Sequence, residues 1–273
     1  MSQQIDRALA AQFGREALMI GEQGHYTTST GKTVDIQPMI SKAVKETVSY
    51  PPEMPLSEKR PGSHDTRIDV NNETTLSAAK RLLDEGFRPA ALNFASATHP
   101  GGGFLNGARA QEEYLTRSSC LFECIQSNPM YDYHRKNYDP LYTDYVIYSP
   151  YVPVIRDDKG NLLEKPYTLS IITCPAVNAT QVQAEKQVQI KPVMSKRIIK
   201  VLSVASKHGH DSLVLGAWGC GAFGNDSRMV AQLFHNALSK NFRSAYKRVV
   251  FAVLDWSPDR RFIGPFEQIF KNQ

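Results

Sequence analysis

The chain has 273 residues, 41% hydrophobic and 22% charged, and carries a net charge of +5 from 32 basic and 27 acidic side chains. That length accommodates one large domain or a domain with an extension, and the composition excludes disordered and collagen-like classes. The positive charge is dispersed with no long Lys/Arg run, which argues against direct nucleic-acid binding.

From the N-terminus, Ile5, Leu9, Phe13, Ala17 and Ile20 recur at helical spacing before Gly21 and Gly24, so the spacing predicts an amphipathic first helix that packs on the main body. Tyr50 to Gly62 contains four prolines and reads as a linker or wrapping loop. We therefore expect residues 1–62 to form an N-terminal helical extension with a linker, and 63–273 to form the principal domain. Beyond the linker, strand-like and helical runs alternate. They read as strand Arg67 to Val70, helix Thr74 to Glu85, strand Ala90 to Phe94 and a helix from about Ala110. Strands near Tyr145 to Tyr148 and Leu169 to Thr173 precede a long helix around Glu185 to Lys207. Strand Leu213 to Trp218, helix Asp226 to Lys240 and strand Arg248 to Leu254 complete an α/β pattern. Asp157 to Asn161 reads as the tip of a hairpin and Pro258 to Phe270 as a short final helix. The longest apolar runs are far below the roughly 20 residues of a membrane helix. Cys120, Cys124, Cys174 and Cys220 form no Cys-x-x-Cys pair, and no secretory signal is present, so reduced thiols and a cytoplasmic location are expected.

Two glycine clusters carry the chemistry. The strand ending at Ala95 runs into Ser96-Ala97-Thr98-His99-Pro100-Gly101-Gly102-Gly103, where three residues without a Cβ let a ligand approach the backbone N–H groups. Seven residues later Gln111-Glu112-Glu113 open a helix. Carboxylates in a first turn often do no more than complement the helix dipole; beside a glycine loop they also suit glycoside hydrolysis, which needs an acid at the leaving oxygen. Adjacent helical side chains point about 100° apart and cannot flank one bond. One of the two must act as acid and then base, while the other orients hydroxyls. The second cluster, Gly219-Cys220-Gly221-Ala222-Phe223-Gly224, fits a backbone cradle for a diphosphate at a helix N-terminus. It is also formally the Gly-x-Gly-x-x-Gly of a dinucleotide-binding fold, although the acid that would hold a ribose, Asp255, follows Gly224 by 31 residues rather than about 20.

The run Leu92-Asn93-Phe94-Ala95-Ser96-Ala97-Thr98-His99-Pro100-Gly101-Gly102-Gly103, followed by Gln111-Glu112-Glu113, resembles the signature of the microbial-type poly(ADP-ribose) glycohydrolases of the macrodomain superfamily. The likeness continues through Ile147 to Pro150, Cys174 to Asn178 and Leu215 to Asn225, with Ala222 a minor departure. It implies a macrodomain-like three-layer α/β/α fold with a mixed central sheet. It implies Glu113 as the catalytic acid and Glu112 as its neighbour on the ribose beside the scissile bond. Asn93, Gly101, Gly102, Gly103, Gln111 and the loop Gly219, Cys220, Gly221, Ala222, Phe223, Gly224 and Asn225 would contact ADP-ribose, with the Phe223 ring over the ribose. On the adenine side the turn Asn71-Asn72-Glu73 offers Asn72 and Glu73, although Asn72 or Thr74 could equally cap the helix. The implied activity is release of ADP-ribose from poly(ADP-ribose), from chain ends, by a monomer acting on modified proteins without metal or cofactor. Removal of single ADP-ribose groups from protein or nucleic acid, and non-catalytic ADP-ribose binding, are the alternatives. Cys120 with Cys124 reads as buried core rather than a metal pair, His208-Gly209-His210 as a helix-ending turn, and the tyrosines of 131–145 as a surface loop over apolar area.

Overall fold

The computed structural model describes residues 5–56 and 62–271, so parts of the first-helix and linker expectations, at 1–4 and 57–61, lie outside the described residues. A seven-stranded sheet forms the centre. It is built from β3 (Val48–Tyr50), β4 (Arg67–Asn71), β5 (Pro89–Phe94), β6 (Val146–Arg156), β7 (Leu162–Cys174), β8 (Ser212–Leu215) and β9 (Arg248–Ala252), in the order β3-β6-β7-β5-β8-β9-β4. Strands β7, β5, β8, β9 and β4 run parallel, while β6 is antiparallel to both β7 and β3. The sheet is mixed, as the resemblance implied. A separate two-stranded hairpin, β1 (His25–Thr27) with β2 (Thr33–Asp35), belongs to the N-terminal segment.

Alternation along the strands explains the layers. Ala90 and Leu92 of β5 face one apolar cluster together with Leu213, Leu215 and Phe251, and that cluster is completed by α7 (Ile190–Lys207), α8 (Ser227–Ser239) and α9 (Ile263–Phe270). Ala91, Val214 and Val250 point the other way, into a cluster with α3 (Thr75–Asp84), α4 (Gln111–Ser118), α5 (Leu121–Ile125) and α6 (Pro129–Lys136). Because both faces are covered, β5 and β8 are mostly apolar, Asn93 and Ser212 excepted, rather than alternating with polar residues. The first helix, α1 (Arg7–Gln23), is capped by Asp6 and ends at Gly24 with φ +74°. Its Ala17 and Ile20 pack with Tyr26, Ile36, Ile155 and Ile40 of α2 (Gln37–Lys45).

Several expected elements change extent. The helix read from about Ala110 ends at Ser119, which is extended (φ −149°, ψ 171°) and bridges Val154, while Cys120 N–H donates to the Pro153 carbonyl. The strand-like runs near 145–148 and 169–173 are parts of one long hairpin, whose prolines and register shift between Ser149 and Val152 hide its length in the sequence. Its tip is Asp157 to Asn161, as expected. The strand read to Trp218 stops at Leu215, the long helix is 3-10 over Ala184–Gln189 before α7 begins, and the final helix starts at Ile263. The segment 25–50, for which the sequence reading offered no elements, supplies α2 and an edge strand of the central sheet.

At the end of the sheet opposite the glycine loops, His208 closes α7 and Gly209 takes φ +71°. His208 Nε2 lies 2.8 Å from the Tyr50 hydroxyl and its ring stacks on Tyr148 at 3.7 Å. His210 meets Tyr148 Oη through Nε2 and the Arg88 carbonyl through Nδ1, both at 2.9 Å. Burial lowers both histidines, His208 to about 4, helped by His210 and Lys207. An unfolded histidine titrates near 6.5, so the unfolded chain binds more protons between about 6.5 and about 4, and stability falls as pH drops through that window. The urea midpoint at pH 5 is therefore expected below that at pH 7.5, and a midpoint constant across the window would contradict this assignment.

Candidate active site

The C-terminal ends of β5, β8 and β9 open into a cavity of about 420 Å³. In open parallel sheets such ends are where ligands bind. Its wall includes Phe94, Ser96, Gln111, Glu112, Glu113 and the loop residues Gly219, Gly221, Ala222 and Phe223. Two polypeptide turns that are remote in sequence thus face one space.

Gln111 seats the acidic helix. Its carboxamide oxygen accepts from Phe94 N–H at 2.9 Å, and its nitrogen donates to the Leu92 carbonyl at 2.8 Å and to Thr75 Oγ1 at 3.0 Å. The side chain therefore fastens α4 to the end of β5 and the start of α3. Asn93 lies one layer below: it is fully buried and donates to Glu112 Oε1 at 3.3 Å and Thr173 Oγ1 at 3.2 Å. Neither bond reaches into the cavity, so Asn93 supports a carboxylate from behind.

Glu112 Oε2 accepts the Ser96 N–H at 2.7 Å, and Glu113 Oε1 accepts the Gly103 N–H at 3.0 Å. The first glycine loop thereby holds both acids by backbone donors. Its middle residue explains why glycine is needed: Gly102 has φ +61°, and a Cβ there would overlap Glu113 Oε1 and stand 3.0 Å from Glu112 Oε2. The two carboxylates converge on that spot despite their 100° separation around the helix. Burial, with the Glu113 charge adding to it, pushes Glu112 up to about 8, against the hydrogen bonds from Ser96 and Asn93. Glu113 Oε2 is buried with no hydrogen-bond partner among the described residues, on a side chain that lines the cavity. A carboxyl group with one oxygen fixed and one uncommitted on a cavity wall can exchange a proton with a bound molecule.

The second loop is built around Asn225. Its side-chain nitrogen donates to the carbonyls of Val177 at 2.7 Å and Gly219 at 3.1 Å. Asn225 is buried and shapes the loop from behind, while Asp226 caps α8 by accepting from Met229 N–H. Gly219 has φ +74°, and a Cβ there would meet Ala176 at 2.5 Å, whereas Gly221 faces open space. The N–H groups of Gly221, Ala222 and Phe223 donate to no described residue, so the loop presents free donors to the cavity in the manner of a diphosphate cradle. Gly224 is exposed, turns back to donate to Gly221, and does not line the cavity. Cys220 is buried, and burial pushes its thiol up to about 12. Phe223 is half-buried on the cavity wall, with its ring 6.2 Å from that of Tyr142.

On the β4 side, Thr74 is the cap of α3 and Asn72 exchanges two hydrogen bonds with the backbone of Asp255. Asn72 is thereby engaged within the protein, whereas Glu73 lines the cavity, with Oε1 on Arg81 and Asn71. Asp255 itself accepts from Ser257, Phe262 and Ile263 N–H groups and so caps α9, leaving no ribose-binding acid of the dinucleotide-fold kind there. Trp256, Leu254 and Phe262, which sequence reasoning did not single out, line this end of the cavity, and Trp256 is 45% exposed. Their signal in the sequence was only an aromatic-rich tail after a strand. The hairpin tip is a further wall of the cavity: Asp158 accepts from Tyr114, Thr74 and Ser77, and the buried Arg156 joins the tip to Glu16 at 2.6 Å and to the Arg117 carbonyl at 3.3 Å. Among the described residues no cluster of His, Cys, Asp and Glu is arranged to hold a metal, and no helix is long and apolar enough to cross a membrane. All four cysteines are buried and free.

Comparison with known proteins gives a consistent picture. Residues 14–157, more than half of the chain, match the model of the microbial-type PARG catalytic domain, PARG standing for poly(ADP-ribose) glycohydrolase. The crystal structure of poly(ADP-ribose) glycohydrolase from Thermomonospora curvata is 44% identical and superposes with a TM-score of 0.91 over 96% of this chain and 100% of that one. The same enzyme bound to the inhibitor ADP-HPD gives 43% identity and a TM-score of 0.89, covering 96% and 99%. The Deinococcus radiodurans enzyme in complex with ADP-ribose gives 42% and 0.82, covering 86% and 98%. A search of curated proteins returns no match.

The Gln111 bonds carry a stability prediction. Gln111→Ala leaves the Phe94 N–H and Leu92 carbonyl without their side-chain partner, and is expected to lower unfolding free energy by about 2 kcal/mol in urea titrations.

Proposed function

The chain belongs to the microbial-type poly(ADP-ribose) glycohydrolases, and on that premise we propose that it hydrolyses the ribose glycosidic bonds of poly(ADP-ribose) and releases ADP-ribose, with Glu113 as acid and base. The observation that carries the catalytic assignment is the Glu113 carboxyl, with Oε1 held by Gly103 N–H and Oε2 unpartnered at the cavity. Glu112, Gly101, Gly102 and Gly103 line or shape the ribose end, and Phe223 covers the sugar from the other side. The free amides of Gly221, Ala222 and Phe223 take the diphosphate. Trp256 and Phe262, with Glu73, flank the adenine. Asn93, Gln111 and Asn225 act through the groups they hold, and Cys220, Ala222 and Gly224 through backbone alone.

In the first step Glu113 gives its proton to the departing oxygen as the bond from the anomeric carbon to that oxygen breaks. The ribose acquires oxocarbenium character, and the nearby diphosphate stabilises the positive charge. Water then attacks the anomeric carbon while the ionised Glu113 takes its proton, restoring the acid. Burial holds the Glu112 carboxyl well above the ordinary carboxylate range, which disfavours two negative charges side by side. No second carboxylate is required on the opposite face.

Release from chain ends requires the adenosine ribose to abut the N-terminal segment and the hairpin tip. Ile5 and Phe13 from the N-terminal segment, with Arg156 and Asp158 of the hairpin, wall the cavity there. A polymer continuing beyond that ribose would meet this wall. In our reading residues 1–62 form an extension whose described residues pack on the principal domain, give its sheet the edge strand β3 and finish its cavity, and the substrate polymer is carried by modified proteins.

Two substitutions test the assignment. Glu113→Gln is expected to reduce release of ADP-ribose from automodified transferase about 10³-fold, with calorimetric binding of ADP-ribose retained; undiminished turnover would remove Glu113 from the mechanism. Gly102→Ala displaces the Glu113 carboxylate without removing it, and kcat is expected to drop about 100-fold, the scale of a misplacement near 1 Å.

A further inference from the structure

Of the tyrosines between 131 and 145, which no step above uses, Tyr131 and Tyr145 are buried in the core, whereas Tyr142 packs on the cavity-lining Phe223 and Tyr138 lies beyond it. Helix α6 fixes their place. Thr143 N–H donates to His134 Nε2 at 3.1 Å, which leaves Nδ1 as the ring's donor toward the Ala97 carbonyl at 3.3 Å. Arg135 donates to the Thr98 carbonyl at 2.6 Å. The helix is thus fastened to the first glycine loop just before Gly101.

From there a file of rings runs outward from the cavity wall. Phe223 packs with Tyr142, centroids 6.2 Å apart, and Tyr142 meets Tyr138 edge-on at 6.2 Å. Tyr138 is 56% exposed. Its hydroxyl donates to Gln181, next to Thr180, whose N–H donates to the Phe223 carbonyl at 3.2 Å. Tyr142 has φ +53°, a backbone conformation that bulky residues rarely take. The file is therefore anchored to both glycine loops while its outer ring faces solvent.

We infer that Tyr138, backed by Tyr142, is a stacking platform for the adenine of the adjoining ADP-ribose unit, the leaving group of the reaction. This rests on the glycohydrolase reading and adds a subsite to it. The bond that breaks joins the anomeric carbon of the terminal ribose to the 2′-oxygen of the next unit's adenosine. That oxygen must come within hydrogen-bond reach of Glu113, so the adenine on the same sugar stands one ribose beyond it. Phe223 covers the terminal ribose in that reading, and the rings of Tyr142 and Tyr138 continue outward from Phe223 in steps of 6.2 Å. An exposed aromatic face suits a base held by stacking rather than by directed hydrogen bonds, since every base has a π-face. The platform would act on the polymer's leaving unit and not on ADP-ribose itself.

The test compares kcat/KM on poly(ADP-ribose) with kcat/KM on 1″-O-(2,2,2-trifluoroethyl) ADP-ribose, whose leaving alcohol carries no base. In Tyr138→Ala the polymer-to-alkyl ratio is expected to fall about tenfold, the scale of losing one base–aromatic stack, while Tyr138→Phe keeps the ring and stays within about twofold of the wild type. A ratio unchanged in Tyr138→Ala overturns the inference, as does a Tyr138→Phe variant that falls as far. A wild type that cleaves neither substrate overturns the glycohydrolase reading and this inference with it.

Discussion

The site depends on one side chain that lies outside the proposed chemistry. Gln111 bonds the backbone of β5 on both sides of Asn93, and through that clip the first turn of α4 is set against the strand end. Everything else in the acidic centre follows from this placement. Glu112 comes under Ser96 N–H, Glu113 comes under Gly103 N–H, and the glycine loop closes over both. A helix start positioned only by its apolar face would be free to slide by a fraction of a turn. Three hydrogen bonds from one rigid amide remove that freedom and explain how two adjacent carboxylates can be held on one spot.

Buried polarity follows the same logic on a larger scale. Arg197 is fully buried on α7, yet it donates to the carbonyls of Pro175 and Leu141 and pairs with Asp144, tying the turn after β7 to the segment before β6. Arg156 does likewise for α1, α4 and the hairpin tip. A buried ion pair is weak evidence of stabilisation, because the desolvation of both charges opposes the attraction. These guanidinium groups are better understood as fixing which loop sits where around the cavity, with carbonyls satisfying the donors.

Much of this was legible in the sequence because local patterning and tertiary structure agree there. The alternation of strand and helix from Arg67 to Leu254, the capping Asp226 and the hairpin tip at Asp157 to Asn161 all carry local signals. The glycine loops were legible as well, since Gly-Gly-Gly and Gln-Glu-Glu at close spacing have few structural explanations. What escaped was nonlocal. Ser119 breaks a helix-like run because it pairs with Val154, and nothing near Ser119 announces that partner. The short strand Val48–Tyr50 is made a strand by β6. Asn93, Gln111 and Asn225 were legible as site residues but not as supports, Asn93 and Asn225 lying behind the cavity wall and Gln111 within it, since a motif gives residue type without direction. Helices α2 and α6 were misses with an available signal, for Pro38 after Asp35 and Pro129 after Asn128 each mark a helix start.

The order of strands has a consequence for biosynthesis. Strand β5, which leads into the acid-holding loop, has β7 and β8 as its neighbours, and both lie downstream of Glu113 in the chain. A ribosome-bound chain that has already exposed Glu112 and Glu113 therefore has no partner for the strand that seats them. The acidic turn must wait for β7 at 162–174 to emerge before its strand has one partner, and for β8 at 212–215 before it has both. The catalytic centre is thus a late product of synthesis, and during that interval the apolar strand β5 is the segment most in need of protection from pairing with another chain.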